Sequence, residues 1–281
     1  MAEATRARGF EYFGLADHSQ TARYAGGLSR DRVKEQHKLA DALNARYKDR
    51  FRILKGIESD ILEDGSLDYP DDVLASFDFV VASVHSRFGL DPTTQTERIV
   101  RAVSNPFTTI LGHMTGRLLR RREGYQIDIE RILTVCAEQG VAVEINANPH
   151  RLDLDWRWHR RGLELGCLFS INPDAHTIEE LDLTSWGVLV ARKGGISPDR
   201  VLNCLSLDDL ASFLRSRSGC SVRPPPLRTH SRFALNTASS PLWNESSISS
   251  VSSSPSSADP DPLTSSPSSE PSNVKNTTLR A

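Results

Sequence analysis

The sequence predicts an α/β fold in which parallel strands curl into a barrel. Six short apolar runs of β type alternate with stretches of helical period, the pattern of β/α units around a parallel sheet. Five of these runs end in His, Glu or Asp. In a β/α barrel the active site is built at the carboxyl ends of the strands, so one residue class repeated at one end of several strands predicts a site as well as a fold.

The elements follow in order. MAEATRARGF (1–10) reads as a helix leading into EYFGLADH (11–18), the first apolar run. A helix over 29–48 is capped by Ser29. FRILKGIE (51–58) is the second run, and DILEDGSLDYPDD (60–72) holds an Asp-Gly pair that predicts a turn or small hairpin beside the site. FDFVVASVH (77–85) precedes a helix over 94–104, and TTILGHM (108–114) precedes a helix over 128–139 that Asp128 caps and Gly140 stops. VAVEINANP (141–149), with Glu144 and Asn146 near its end, is followed by a helix over 156–165. CLFSINPDAH (167–176) is followed by a helix over 207–216. A barrel that opens on a helix lacks its first strand, and the two edges left behind invite pairing with another chain.

Composition bounds the rest. Net charge is −2, which gives no global support to nucleic-acid affinity. No apolar run is long enough to cross a bilayer, and MAEATRARGFEY lacks the apolar core of a signal peptide, so a cytoplasmic setting is expected. The four cysteines show no CxxC spacing, and Cys136 and Cys167 sit in apolar contexts where a buried thiol is the ordinary reading. Near residue 218 the composition breaks. Residues 1–217 read as one domain, and 218–281, rich in Ser and Pro, as a disordered tail that buries too little to offset its ordering entropy. Asn244-Glu-Ser and Asn276-Thr-Thr match the glycosylation sequon and read as chance matches.

His18, Glu58, His85, His113, Asp174 and His176 are the candidate metal ligands, with Glu58, His85, His113 and Asp174 also the candidate catalytic set. Imidazole and carboxylate donors suit Zn, Mn or Fe, and the absence of a thiolate cluster argues against a structural cysteine site. Asp174 and His176, two apart on an extended segment, share a face. Glu58 stands where a carboxylate can bridge two cations. Asp17 is expected to orient the His18 imidazole. Arg117, in the basic cluster RLLRRRE (117–123), and Asn146 are candidate substrate contacts. His37, His159 and His230 read as structural or tail residues, and His150 follows a Pro-containing turn.

The motifs ADHS (16–19), GIESDIL (56–62), ASVHS (82–86), GHMTGRLL (112–119), VEINANPHRLDLDW (143–156) and INPDAH (171–176) resemble the PHP (polymerase and histidinol phosphatase) domain. Their order is most similar to the C-terminal PHP domain of bacterial family X DNA polymerases, over residues 1–216. The resemblance implies a distorted (β/α)7 barrel with up to three divalent metals, Mn or Zn. Glu58 would bridge the first and second metals, His85 and His113 would complete the second, Asp174 would join the first, and His18 and His176 would hold the third. It implies a phosphoesterase acting on DNA 3′ ends, or on a phosphorylated small molecule as in histidinol phosphatases. The family's first strand, with its H-x-H pair, has no counterpart here. The sequence could be a fragment of a longer protein, a partner chain could supply that strand, or the chain could be a non-catalytic remnant that binds one metal.

Overall fold

The computed structural model describes residues 1–217. The predicted tail and its two sequons lie outside the described residues. Fourteen named elements alternate: α1 (Ala2–Ala7), β1 (Tyr12–His18), α2 (Arg30–Tyr47), β2 (Arg52–Asp60), α3 (Asp71–Leu74), β3 (Phe79–Ser83), α4 (Pro92–Val103), β4 (Ile110–Leu111), α5 (Ile129–Gln139), β5 (Ala142–Asn146), α6 (His159–Leu165), β6 (Phe169–Asn172), α7 (Thr184–Lys193) and α8 (Leu207–Arg217). All six strands are parallel, and they are hydrogen-bonded in the order of the chain. The result is a curled half-barrel with helices around it, of the predicted TIM-like class.

Local chemistry sets the element ends. The Ser29 hydroxyl accepts from the Arg32 amide at 3.4 Å, and Asp128 accepts from the Arg131 amide at 2.9 Å. Gly140 ends α5 at φ 67°, a conformation that costs glycine little. Asp91 caps α4 ahead of Pro92, a residue suited to the first helical turn. The 60–72 segment forms the expected short hairpin, with Ile61 bridging Leu67 antiparallel.

Among the described residues, apolar side chains pack on both faces of the curled sheet. Phe13, Leu15 and Ile53 face outward against Ala40 and Tyr47 of α2. Leu54, Phe79, Val81, Ile110 and Ala142 face inward, where Leu210, Phe213 and Leu214 of α8 close the barrel floor. That plug confines the open end of the barrel to the carboxyl ends of the strands.

The edges of the sheet are β1 and β6, and the segment Val201–Leu205 reaches both. Val201 bridges Phe169 of β6, and the Asn203 side chain both accepts from the Ile171 amide (2.7 Å) and donates to the Ile171 carbonyl (2.9 Å). On the other side the Tyr12 hydroxyl of β1 donates to the Leu202 and Leu205 carbonyls, at 3.3 and 3.1 Å. The β6 edge is thus not bare as expected: part of it is occupied by a side-chain amide, which offers the donor and acceptor of a neighbouring strand.

α7 was not expected from the sequence. Its N-terminus has no side-chain cap, and Gly187 interrupts its apolar pattern. Gly187 faces the sheet, where an added Cβ would stand 2.5 Å from Ile171 Cγ2 and 2.8 Å from Ala147 Cβ. Glycine there permits close helix–sheet approach, a packing gain that local propensity does not reveal. Among the described residues no helix is long and apolar enough to cross a membrane. Cys136 and Cys167 are both buried.

Candidate metal centre

Parallel register brings the strand-end side chains together. His18 of β1 pairs with Glu58 of β2, Glu58 with Val81 of β3, and His85 follows β3 by two residues. Side chains alternate along each strand, so His18, Glu58 and Asp60 turn toward the mouth of the half-barrel. Here His18 and Glu58 meet His85 and His113 in a cavity of about 300 Å³ whose wall also includes Tyr24, Arg151, Asp174 and His176, while Asp60 stands behind His85.

Glu58 is the centre of this group. Its Oε2 lies 3.2 Å from His18 Nδ1, while its Oε1 lies 3.4 Å from His85 Nε2 and 3.1 Å from His113 Nε2. Burial opposes charge on this carboxyl, but the surrounding His85 and His113 imidazoles hold it well below the ordinary carboxylate range. Burial likewise disfavours a charged His85. The Glu58 and Asp60 carboxylates outweigh that penalty and raise His85 to about 10. Burial lowers His18.

The donor set fits a divalent cation. His18, Glu58 and His85 each offer a ligand atom, and these atoms lie within 4.8 Å of one another. His18 Nδ1 is buried beside Glu58 without an aligned hydrogen bond, and His113 turns its Nε2 to the other Glu58 oxygen. Buried polar atoms left in this state are costly, and imidazole nitrogens facing a carboxylate are suitable donors to a cation.

Beneath the ligands lies a second polar layer. Asp60 Oδ1 is 2.6 Å from His85 Nδ1, an arrangement that fixes the ring and turns Nε2 toward Glu58. Glu144 accepts the His113 backbone amide at 2.5 Å and the Asn172 amide at 2.8 Å. Burial, with the charge of Asp174 adding to it, pushes Glu144 up to about 7. Asp174, at φ 52°, receives the Asn146 amide at 3.2 Å and faces Arg151 at 3.4 Å. His176 is the most open member. Its Nδ1 lies 2.9 Å from the Asp174 carbonyl, and its ring centroid 6.4 Å from that of His18.

Three expectations change. Asp17 faces outward and accepts a hydrogen bond from Gln36 of α2, because adjacent residues of a strand point to opposite faces; Asp60, two residues after Glu58, is the carboxylate on an imidazole. Arg117 is not in the cavity wall. It pairs with Asp155 at 2.6 Å and donates to the Arg151 and Leu152 carbonyls, so it braces the loop that presents Arg151. Asn146 is buried and spans Glu144 and Asp174 instead of facing the opening. The sequence reading missed Arg151 and Tyr24 as cavity residues. Spacing does not signal either one, although the i, i+2 relation of Glu58 and Asp60 does signal a shared face.

Other histidines are structural. His159 is buried, with Nε2 3.1 Å from the Leu154 carbonyl, and His37 packs edge-on against Phe77. His150 is exposed and its carbonyl accepts the Leu119 amide at 2.6 Å. His230 lies outside the described residues.

No family model matches the chain. It is 46% identical over 215 residues to the DNA polymerase/3′-5′ exonuclease PolX of Bacillus subtilis, a match that takes in 76% of this chain and 38% of that protein. A probable phosphatase of Thermoanaerobacter sp. is 31% identical over 162 residues, 54% of this chain and 63% of that protein. The chain therefore spans less than two thirds of either relative's length. A histidinol phosphate phosphatase from Lactococcus lactis, solved with zinc, L-histidinol and phosphate, superposes with a TM-score of 0.49 at 19% identity, over 69% of this chain and 86% of that one. With 215 residues matched at 46% identity, and His, Glu and Asp side chains gathered at the carboxyl ends of a curled parallel sheet, the chain carries a PHP-type domain.

Proposed function

We propose that this chain is a metal-dependent phosphoesterase acting on the 3′ ends of DNA. The observation that carries the reading is the double-sided use of Glu58, with His18 on one oxygen and His85 and His113 on the other. Glu58, His85 and His113 would hold one divalent metal, with His18, Asp174 and His176 on the opposite flank. A cation there supplies Lewis acidity toward phosphoryl oxygens and lowers the pKa of bound water. Manganese and zinc both suit these donors.

The chain's own residues do the positioning. Asp60 keeps His85 turned toward Glu58, and Glu144 fixes the backbone that carries His113. Arg151 places a guanidinium at the mouth, where it can receive a phosphate oxygen. The DNA substrate is supported by the relative named as a polymerase and 3′-5′ exonuclease. A small phosphorylated alcohol is the second reading, supported by the relatives named as phosphatases and by a cavity of about 300 Å³, the small end of ligand sites.

The test compares hydrolysis of single-stranded DNA from its 3′ end with that of a phosphorylated alcohol, each with Mn²⁺ or Zn²⁺. Wild type is expected to shorten the DNA, and Glu58→Ala to lose both bound metal and turnover. Metal-dependent hydrolysis retained in Glu58→Ala overturns the assignment, and turnover of the alcohol alone selects the second reading.

A further inference from the structure

Tyr24 is the most exposed large hydrophobic side chain among the described residues, at 75%, yet it belongs to the wall of the metal cavity. Its ring centroid is 6.5 Å from that of His18. It shares that wall with Glu58 and Arg151. An open aromatic face thus stands beside the ligands, with the Arg151 guanidinium in the same wall.

The loop that holds this ring is fixed on both sides. Thr21 donates from its hydroxyl to Asp60 at 2.6 Å and from its amide to Asp68 at 2.7 Å, and Gln20 donates to the Asp68 carbonyl at 2.8 Å. Ala22 is fully buried, and the Leu28 amide returns to the His18 carbonyl at 2.9 Å. Gly27 packs its backbone so closely on the Ser19 carbonyl that any side chain would collide. Asp60 therefore joins two jobs: Oδ1 holds His85 and Oδ2 holds the Tyr24 loop. These hydrogen bonds fix the backbone from which the exposed ring projects, and a ring carried on a pre-set backbone binds with less ordering cost.

We propose that Tyr24 is a stacking platform for the terminal base of a nucleic-acid strand whose phosphate occupies the metal cavity. This deepens, and rests on, the DNA 3′-end reading. Every base has a π face, so an aromatic ring next to cationic side chains takes single-stranded nucleic acid with little regard to sequence. The phosphate is left to the metal ligands and Arg151, and the ring beside it to Tyr24.

The test is isothermal titration of the full chain in Mn²⁺ with thymidine 5′-monophosphate and, separately, with inorganic phosphate. Tyr24→Ala is expected to weaken the nucleotide about tenfold or more while leaving phosphate within twofold, and Tyr24→Phe to bind both like wild type. Unchanged phosphate binding also reports that the variant's cavity is intact. The proposal is overturned if Tyr24→Ala weakens both probes alike or neither, or if wild type binds the nucleotide no more tightly than phosphate. Failure of the phosphoesterase reading shows separately, as a wild type that binds the nucleotide through Tyr24 but hydrolyses no phosphate ester.

Discussion

The backbone amide of His113 donates to the Glu144 carboxylate at 2.5 Å, so a buried acid that is itself outside the cavity wall holds the strand end that carries a candidate ligand. The same carboxylate is tied through Asn146 to Asp174. Two candidate ligands on different strands therefore share one support. Groups that orient metal ligands in this way commonly affect affinity about ten- to a hundredfold. Glu144→Gln reverses the acceptor facing the Asn172 amide or the His113 amide, and its Mn²⁺ dissociation constant should rise by about that factor, read by calorimetry. An unchanged constant would assign Glu144 to core packing alone.

Gly187 allows α7 to pack directly on Ile171 and Ala147. A methyl group there has no space, and overpacking of this kind costs about 1–3 kcal/mol. Gly187→Ala should lower the denaturation midpoint by a corresponding amount. Because Ile171 leads into the Asp174 segment, the variant should also weaken metal binding modestly. A midpoint unchanged in urea titration would show that the helix can shift at no cost.

The strands were legible because their signal is local. Five of the six are apolar runs closed by a residue with ligand chemistry, and the helices over 29–48 and 128–139 announced themselves through Ser29, Asp128 and Gly140. α7 was not legible, since Gly187 is favoured by its neighbours across space and disfavoured by its own helix. The site divides in the same way. His18, Glu58, His85 and His113 follow from strand position, whereas Arg151 and Tyr24 sit on loops whose paths depend on Arg117, Asp155, Thr21 and Asp68. The misplaced role of Asp17 came from sequence adjacency, which in a strand separates side chains to opposite faces.

His159 makes stability sensitive to acid. Burial lowers its pKa to about 4, against an ordinary value of 6.5, because a charged ring would lose its hydration there. Below 6.5 the unfolded chain takes up a proton that the folded chain refuses. Stability contributed by the neutral ring is therefore complete above 6.5 and falls as pH drops toward 4. The difference corresponds to roughly 3 kcal/mol across the window. His159→Gln, which keeps a donor for the Leu154 carbonyl, should lose less stability than wild type between pH 7 and 4 in parallel urea titrations. Equal losses would mean that the ring is hydrated in the folded protein.

Asn203 governs the β6 edge. Its amide makes a donor and an acceptor bond to Ile171, two residues before the turn into Asp174, and its Oδ1 also lies 3.4 Å from the Ser170 hydroxyl. Asn203→Ala leaves the Ile171 amide and carbonyl to water, because the site is only partly covered. The expected loss is about 1 kcal/mol, the net value of a typical hydrogen bond, not the larger penalty of a sealed polar group. The greater consequence is kinetic exposure of the edge. A strand with free amide and carbonyl groups recruits other strands, so the variant should self-associate at concentrations where wild type remains as it was. Light scattering against concentration, alongside thermal unfolding, separates the two effects. Lower stability without association would mean that Tyr12 and the Val201 bridge protect the edge by themselves.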